Sequence, residues 1–96
     1  MYDYEIALII RPEVEEEGQA ALIERLGELL TSEGGEVADV ETWGRRRLAY
    51  PIRNFTEGYY VMFEAKVDPT RFVDIERNMQ YTEDILRYLV VRKEEK

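Results

Sequence analysis

The order of hydrophobic periods constrains this chain most. Strand-like alternation and helix-like spacing succeed one another as strand, helix, strand, strand, helix, strand. Each helical stretch carries a single apolar stripe, so each can bury only one face. Both helices must then cover the same side of the sheet, and the other side is left without one. The expected fold class is therefore α+β: a ferredoxin-like βαββαβ arrangement, two helices on one face of a four-stranded antiparallel sheet.

The elements are read as follows. In the first strand, Tyr2 to Ile10, the residues Tyr4, Ile6, Leu8 and Ile10 share one face, and Asp3, Glu5, Ala7 and Ile9 the other. Arg11-Pro12 ends it, because proline lacks a ladder donor and restricts the residue before it. A helix is expected from about Glu13 to Glu33, with Leu22, Ile23, Leu26, Leu29 and Leu30 as its stripe and Gly34-Gly35 as its stop. The second strand runs through Val37 and Val40 to about Ile52, long enough to need a bulge or bend near Gly44. Arg53 to Gly58 reads as a hairpin loop and Tyr59 to Val67 as the third strand. Asp68-Pro69 opens the second helix, whose buried stripe is Phe72, Ile75 and Met79. The last strand runs from about Asp84 to Lys93, with Leu86, Tyr88 and Val90 inward and Arg87, Leu89 and Val91 outward. The charged end, Lys93 to Lys96, is expected to fray. With 96 residues and no linker or repeat, residues 1–96 are expected to form one domain.

Charge divides the chain unevenly. Residues 1–42 hold only Arg11 and Arg25 against twelve acids, and the whole chain has a formal net charge of -8. Yet Trp43 to Arg53 packs four arginines into a run with no acid. Such a protein should not coat nucleic acid indiscriminately, but it can grip a few phosphates at one place, since local potential governs contact.

The chain has no Cys and no His. That removes disulfides, a thiolate zinc site, a thiol nucleophile and the commonest general base. Small phosphohydrolases of this fold, such as acylphosphatase, bind phosphate in a glycine-rich loop after the first strand. Here the loop is Arg11 to Gly18, whose glutamates repel anions. Glu13, Glu15, Glu16 and Glu17 serve the helix dipole better than a metal. No enzyme, catalytic residue, cofactor, metal or small-molecule substrate is expected. No apolar run approaches the roughly 20 residues of a membrane span, and the N-terminus lacks the marks of a signal peptide. The expected compartment is the cytoplasm, with no membrane partner.

Gly58 to Phe63 partly resembles the aromatic strand of RNA-recognition-motif domains. Glu57 stands where a basic residue is expected, one position is missing, and alternation sends Tyr59 and Phe63 inward, so these aromatics read as core and strand formers.

Gly44 through Arg53 closely resembles the signature of the bacterial small-subunit ribosomal protein number six family: a Gly, basic residues, Leu48-Ala49-Tyr50, then Pro51-Ile52 and a further basic or small residue. The Tyr4-Glu5 strand ending near Pro12, Gly58-Tyr59, and the run Leu86 to Lys93 are similar to the same family, so the resemblance covers nearly the whole chain. It implies the βαββαβ fold already read and binding to the central domain of small-subunit ribosomal RNA. It also implies a heterodimer with the eighteenth small-subunit protein and a ribosome-bound place in the cytoplasm. Asp3 stands where some relatives carry basic residues, which argues against an RNA contact from the N-terminus.

On this reading Arg45, Arg46, Arg47, Arg53 and Arg87 are the expected RNA-binding residues. Ile9, Tyr60, Met62, Leu89 and Val91, on the open face, are the expected partner-binding residues. Arg45 and Arg47 share one side of a regular strand, and Arg46 is expected to be the structural member of the triplet. Part of the run should pair with Glu41 or Glu24, and Glu57 can reach Arg53 across the hairpin. The alternative is a protein-interaction domain of the same fold that never touches RNA. The two are separated by whether the five arginines form one patch.

Overall fold

The central strand organises the molecule. In the computed structural model, which describes residues 2–93, β1 (Tyr2–Ile10) lies between two partners in a sheet of order β2 (Glu36–Ile52), β3 (Phe55–Val67), β1, β4 (Ile85–Lys93). All three pairings are antiparallel. The alternation of β1 is realised as read: Tyr4, Ile6, Leu8 and Ile10 are buried, and the intervening residues line the other face.

Helix α1 (Glu16–Ser32) starts later than the expected Glu13. Residues after Pro12 close a turn first, with Val14 N–H donating to the Arg11 carbonyl at 3.2 Å. The buried Gln19 amide then donates to the Val14 carbonyl at 2.9 Å. Only Glu16 and Glu17 therefore occupy the first turn. The helix ends as the glycine pair announces. Gly34 N–H donates to Thr31 O at 3.0 Å and Gly35 N–H to Leu30 O at 2.9 Å, closing the last carbonyls.

Strands β2 (Glu36–Ile52) and β3 (Phe55–Val67) form a hairpin whose connection is shorter than expected. Arg53 and Asn54 both take positive φ, +50° and +69°, and together make a two-residue turn of the kind that matches strand twist. The third strand therefore begins at Phe55, not Tyr59, and Arg53 to Gly58 is no loop. The expected bend near Gly44 is present. Thr42 opposes Val61 and Gly44 opposes Tyr60, so Trp43 is an extra residue, and Gly44 takes φ +83°, which few side chains tolerate.

Helix α2 (Pro69–Gln80) has the expected cap: Asp68 Oδ1 accepts from Thr70 N–H at 2.9 Å. That bond holds the Asp68 carboxyl below its ordinary pKa. Tyr4 stacks on Phe72 with ring centroids 4.3 Å apart. The stripes Leu22, Leu26, Leu30 and Phe72, Ile75, Met79 meet the same sheet face in one core. Among the described residues no helix is long and apolar enough to cross a membrane.

Strand β4 (Ile85–Lys93) departs from simple alternation. Ile9 opposes Arg87 but Ile10 opposes Ile85, so Leu86 is the extra residue of a bulge. Both Ile85 and Leu86 are buried, and Ile85 joins the core although alternation had placed only Leu86, Tyr88 and Val90 inward. At the other end Lys93 is held in the strand by an ion pair with Glu5. The remainder of the expected frayed end, residues 94–96, lies outside the described residues.

One close approach locks β3 to the uncovered face. A Cβ on Gly58 would stand 2.3 Å from Ile9 Cγ2. Gly58→Ala is expected to destabilise the fold by about 1–3 kcal/mol through overpacking. Urea unfolding with an unchanged slope and a lower midpoint checks this; an unshifted midpoint would show that the approach is easily relieved.

Candidate functional site

The register sorts the uncovered face into rows that run across the strands. Asp39, Glu64, Glu5 and Val91 form one row, and Glu41, Met62, Ala7 and Leu89 the next. Gly44, Tyr60, Ile9 and Arg87 follow, with Arg46 beyond them opposite Gly58. One end of the face is thus acidic, the middle apolar, and the other end carries Arg46 and Arg87. Glu5 and Glu64 are directly opposed like charges, a destabilising pair that Lys93 relieves through its ion pair with Glu5. Among the described residues no group of acids is arranged to hold a metal ion.

The expected partner residues all lie on this face. Ile9, Tyr60 and Met62 are half-buried, while Leu89 and Val91 are 63% and 47% exposed. The end of β2 adds something alternation could not reveal. Arg47 opposes Glu57 and Ile52 opposes Phe55, so residues 48–51 bulge out of the ladder. Leu48 is buried, its side chain facing the Gly58 position from the uncovered side. Leu48 and Tyr50 thereby wall a shallow groove of about 280 Å³ with Ala7, Ile9, Tyr60 and Leu89.

The arginines do not act as one group. Arg45 opposes Tyr59, an inward residue, and so lies on the helix side. Its guanidinium donates to the Pro12 carbonyl at 3.1 Å and pairs with Glu57 at 3.7 Å. Arg45, and not Arg46, is therefore the structural member of the triplet, and Glu57 serves it rather than Arg53. Arg46 lies on the uncovered side, over the Trp43 ring at 5.5 Å. Glu41 accepts the Trp43 indole N–H at 3.2 Å. Arg47 makes no ion pair among the described residues.

Arg53 and Arg87 come together. Both line a cleft of about 260 Å³ at the start of β4. Arg53 reaches the Glu83 carbonyl at 3.5 Å. Arg87 has a partner that its strand did not announce: it donates to the Tyr50 hydroxyl and lies 5.8 Å from that ring's centroid. Trp43 and Tyr50 are the site features that sequence reasoning missed. Their one signal was their place beside the arginines.

A four-stranded antiparallel sheet with both helices on one side and a bare, charge-graded face defines a ferredoxin-like α+β protein. The family described as Ribosomal protein S6 matches residues 3–92, and the chain belongs to it. It is a structural protein of the ribosome and not an enzyme. The chain is 41% identical over 95 residues to the small ribosomal subunit protein bS6 of Moorella thermoacetica, a match covering 99% of this chain and 97% of that protein. The crystal structure of the 30S ribosomal protein S6 of Thermotoga maritima superposes with a TM-score of 0.92 at 31% identity, over 96% of this chain and 87% of that one. The C-terminal domain of the MgtC protein from Mycobacterium tuberculosis shares the fold alone, with a TM-score of 0.61 at 12% identity over 98% and 89% of the two chains.

The partners of Arg45 lead to a stability test. Arg45→Ala should lower stability by up to about 1 kcal/mol, and Arg46→Ala and Arg47→Ala by less. Thermal melts of the three variants rank them; Arg46→Ala as the most damaging would reverse the assignment.

Proposed function

We propose that this chain is a constituent of the small ribosomal subunit that binds the central domain of its RNA together with the eighteenth small-subunit protein, at the ribosome in the cytoplasm, as a single domain over residues 1–96. The observation that carries the reading is the gradation of the uncovered face. The acidic row of Asp39, Glu64 and Glu5 suits a basic protein partner, and the apolar row of Met62, Ala7 and Leu89 gives that partner a surface to dry. The opposite end, with Arg46 and Arg87 and with Arg53 beside it, suits phosphate. Arginine offers a planar fork of donors for phosphate oxygens, and structured RNA is read through shape, phosphate and 2′-hydroxyl contacts. The net charge of -8 opposes loose attachment to the wrong RNA.

The partner face is tested first. Met62→Asp or Leu89→Asp should weaken capture of the eighteenth small-subunit protein while each variant keeps its melting temperature. Undiminished capture by both variants would remove the assignment of Ile9, Tyr60, Met62, Leu89 and Val91 to that interface.

RNA binding is tested by salt titration. The chain alone should bind a central-domain RNA fragment weakly and with a shallow salt dependence, each neutralised phosphate adding roughly 0.7–0.9 to the slope. With the basic partner the slope steepens. Arg53→Ala and Arg87→Ala should each weaken the complex by about 1–2 kcal/mol at little cost in stability. A second reading, an interaction domain that never touches RNA, draws on the diversion of Arg45 to Pro12 and Glu57. It prevails if partner capture is intact while all arginine variants leave RNA affinity unchanged.

A further inference from the structure

Trp43 is placed where packing has no use for it. It is the residue inserted in β2 between the Thr42–Val61 and Gly44–Tyr60 pairs, it stays 46% exposed, and it takes no part in the core. Yet it is held. The indole N–H donates to Glu41 Oε2 at 3.2 Å, and the Arg46 guanidinium lies 5.5 Å from the ring centroid. Gly44, at φ +83°, sets the bulge that presents it. A large aromatic fixed on both flanks and still open to solvent has already lost much of the side-chain freedom that binding would otherwise cost.

We infer that Trp43 is a stacking platform for one unpaired nucleobase of the bound RNA, a deepening that rests on the RNA-binding reading above. Bases splayed from loops and bulges stack on aromatic rings and on guanidinium planes, and both are offered here. Arg46 over the ring supplies a cation for a flanking phosphate. A protein partner fits this spot less well. Anchors in protein interfaces sit within a ring of contacts that exclude water. The neighbours of Trp43 on the uncovered side are Glu41 and Arg46, both exposed, and the apolar row begins one strand away at Met62.

Trp43 is the chain's only tryptophan, so its emission reports this place alone. The test is a titration at low salt with a central-domain RNA fragment containing unpaired loops and with a fully paired duplex of equal length. Binding is followed separately by anisotropy of a dye on the RNA. The looped RNA should quench Trp43 and the duplex should bind without quenching. Trp43→Ala should weaken looped-RNA binding about tenfold at every salt concentration with the salt slope unchanged, and Trp43→Phe should restore most of it. Arg46→Ala should instead reduce the slope by about one. Circular dichroism verifies folding, and the emission of the unmodified chain decides the matter if Trp43→Ala unfolds.

Looped RNA bound with unchanged emission, or bound equally well by a folded Trp43→Ala chain, overturns the platform and leaves the RNA reading standing. Absence of RNA binding by the unmodified chain overturns both. Quenching by a tryptophan-free form of the partner protein without RNA assigns Trp43 to a protein contact and also overturns the platform.

Discussion

Burial of one face of β1 is the constraint on which the rest depends. Ile6, Leu8 and Ile10 are fully buried, and the strand that carries them is hydrogen-bonded on both edges. Each such side chain contributes about 1.5–3 kcal/mol when removed from water. That gain requires a cover, and two helices with one stripe each can supply only one. Everything on the opposite face follows from this economy: Glu5, Ala7 and Ile9 are carried to an uncovered surface by the same alternation that buries their neighbours. The proposed binding surface is the other side of the core strand, so its rows are set by the same strand register as the core.

Placement of this kind suits the two-partner role proposed above. The row of Met62, Ala7 and Leu89 spans three strands and has no loop in it. The charges on either side come from the same strands, so their spacing is set by strand geometry and not by loop conformation. The bulges at Trp43 and at residues 48–51 supply what a regular sheet lacks. They re-aim side chains at the rim, as bulges near binding sites commonly do. They also break the exposed edge of β2, which reduces its tendency to pair with another chain.

Much of the fold was legible because period and punctuation agreed. Tyr4, Ile6 and Leu8 alternate, Asp68-Pro69 starts a helix in the commonest way, and Gly34-Gly35 stops one. The failures lie where a single residue changes phase. The turn at Arg53-Asn54 needs two positive φ values, and an arginine there gives no warning of a two-residue turn. The extra residue Leu86 moves Ile85 into the core, which no strictly alternating pattern can express. The site was half legible. The facing of the expected partner residues follows from alternation, and the register places all five on one surface. The arginine roles do not follow from facing, because Arg45 depends on Pro12, 33 positions away, and Arg87 on Tyr50, 37 positions away. Such pairings exist only once the hairpin and β4 are in place.

The strand order also governs what the chain can do while it is being made. The strand at the middle of the sheet is synthesised first, yet its neighbours are β3 and β4, which come later. Residues 1–52 on their own contain β1 and β2, which do not pair with one another. The edges of β1 must therefore wait for a strand partner until residue 67 has emerged, a delay of roughly 3–11 s at ordinary rates of translation. The sheet is complete only when β4 has been made and has joined the far edge of β1.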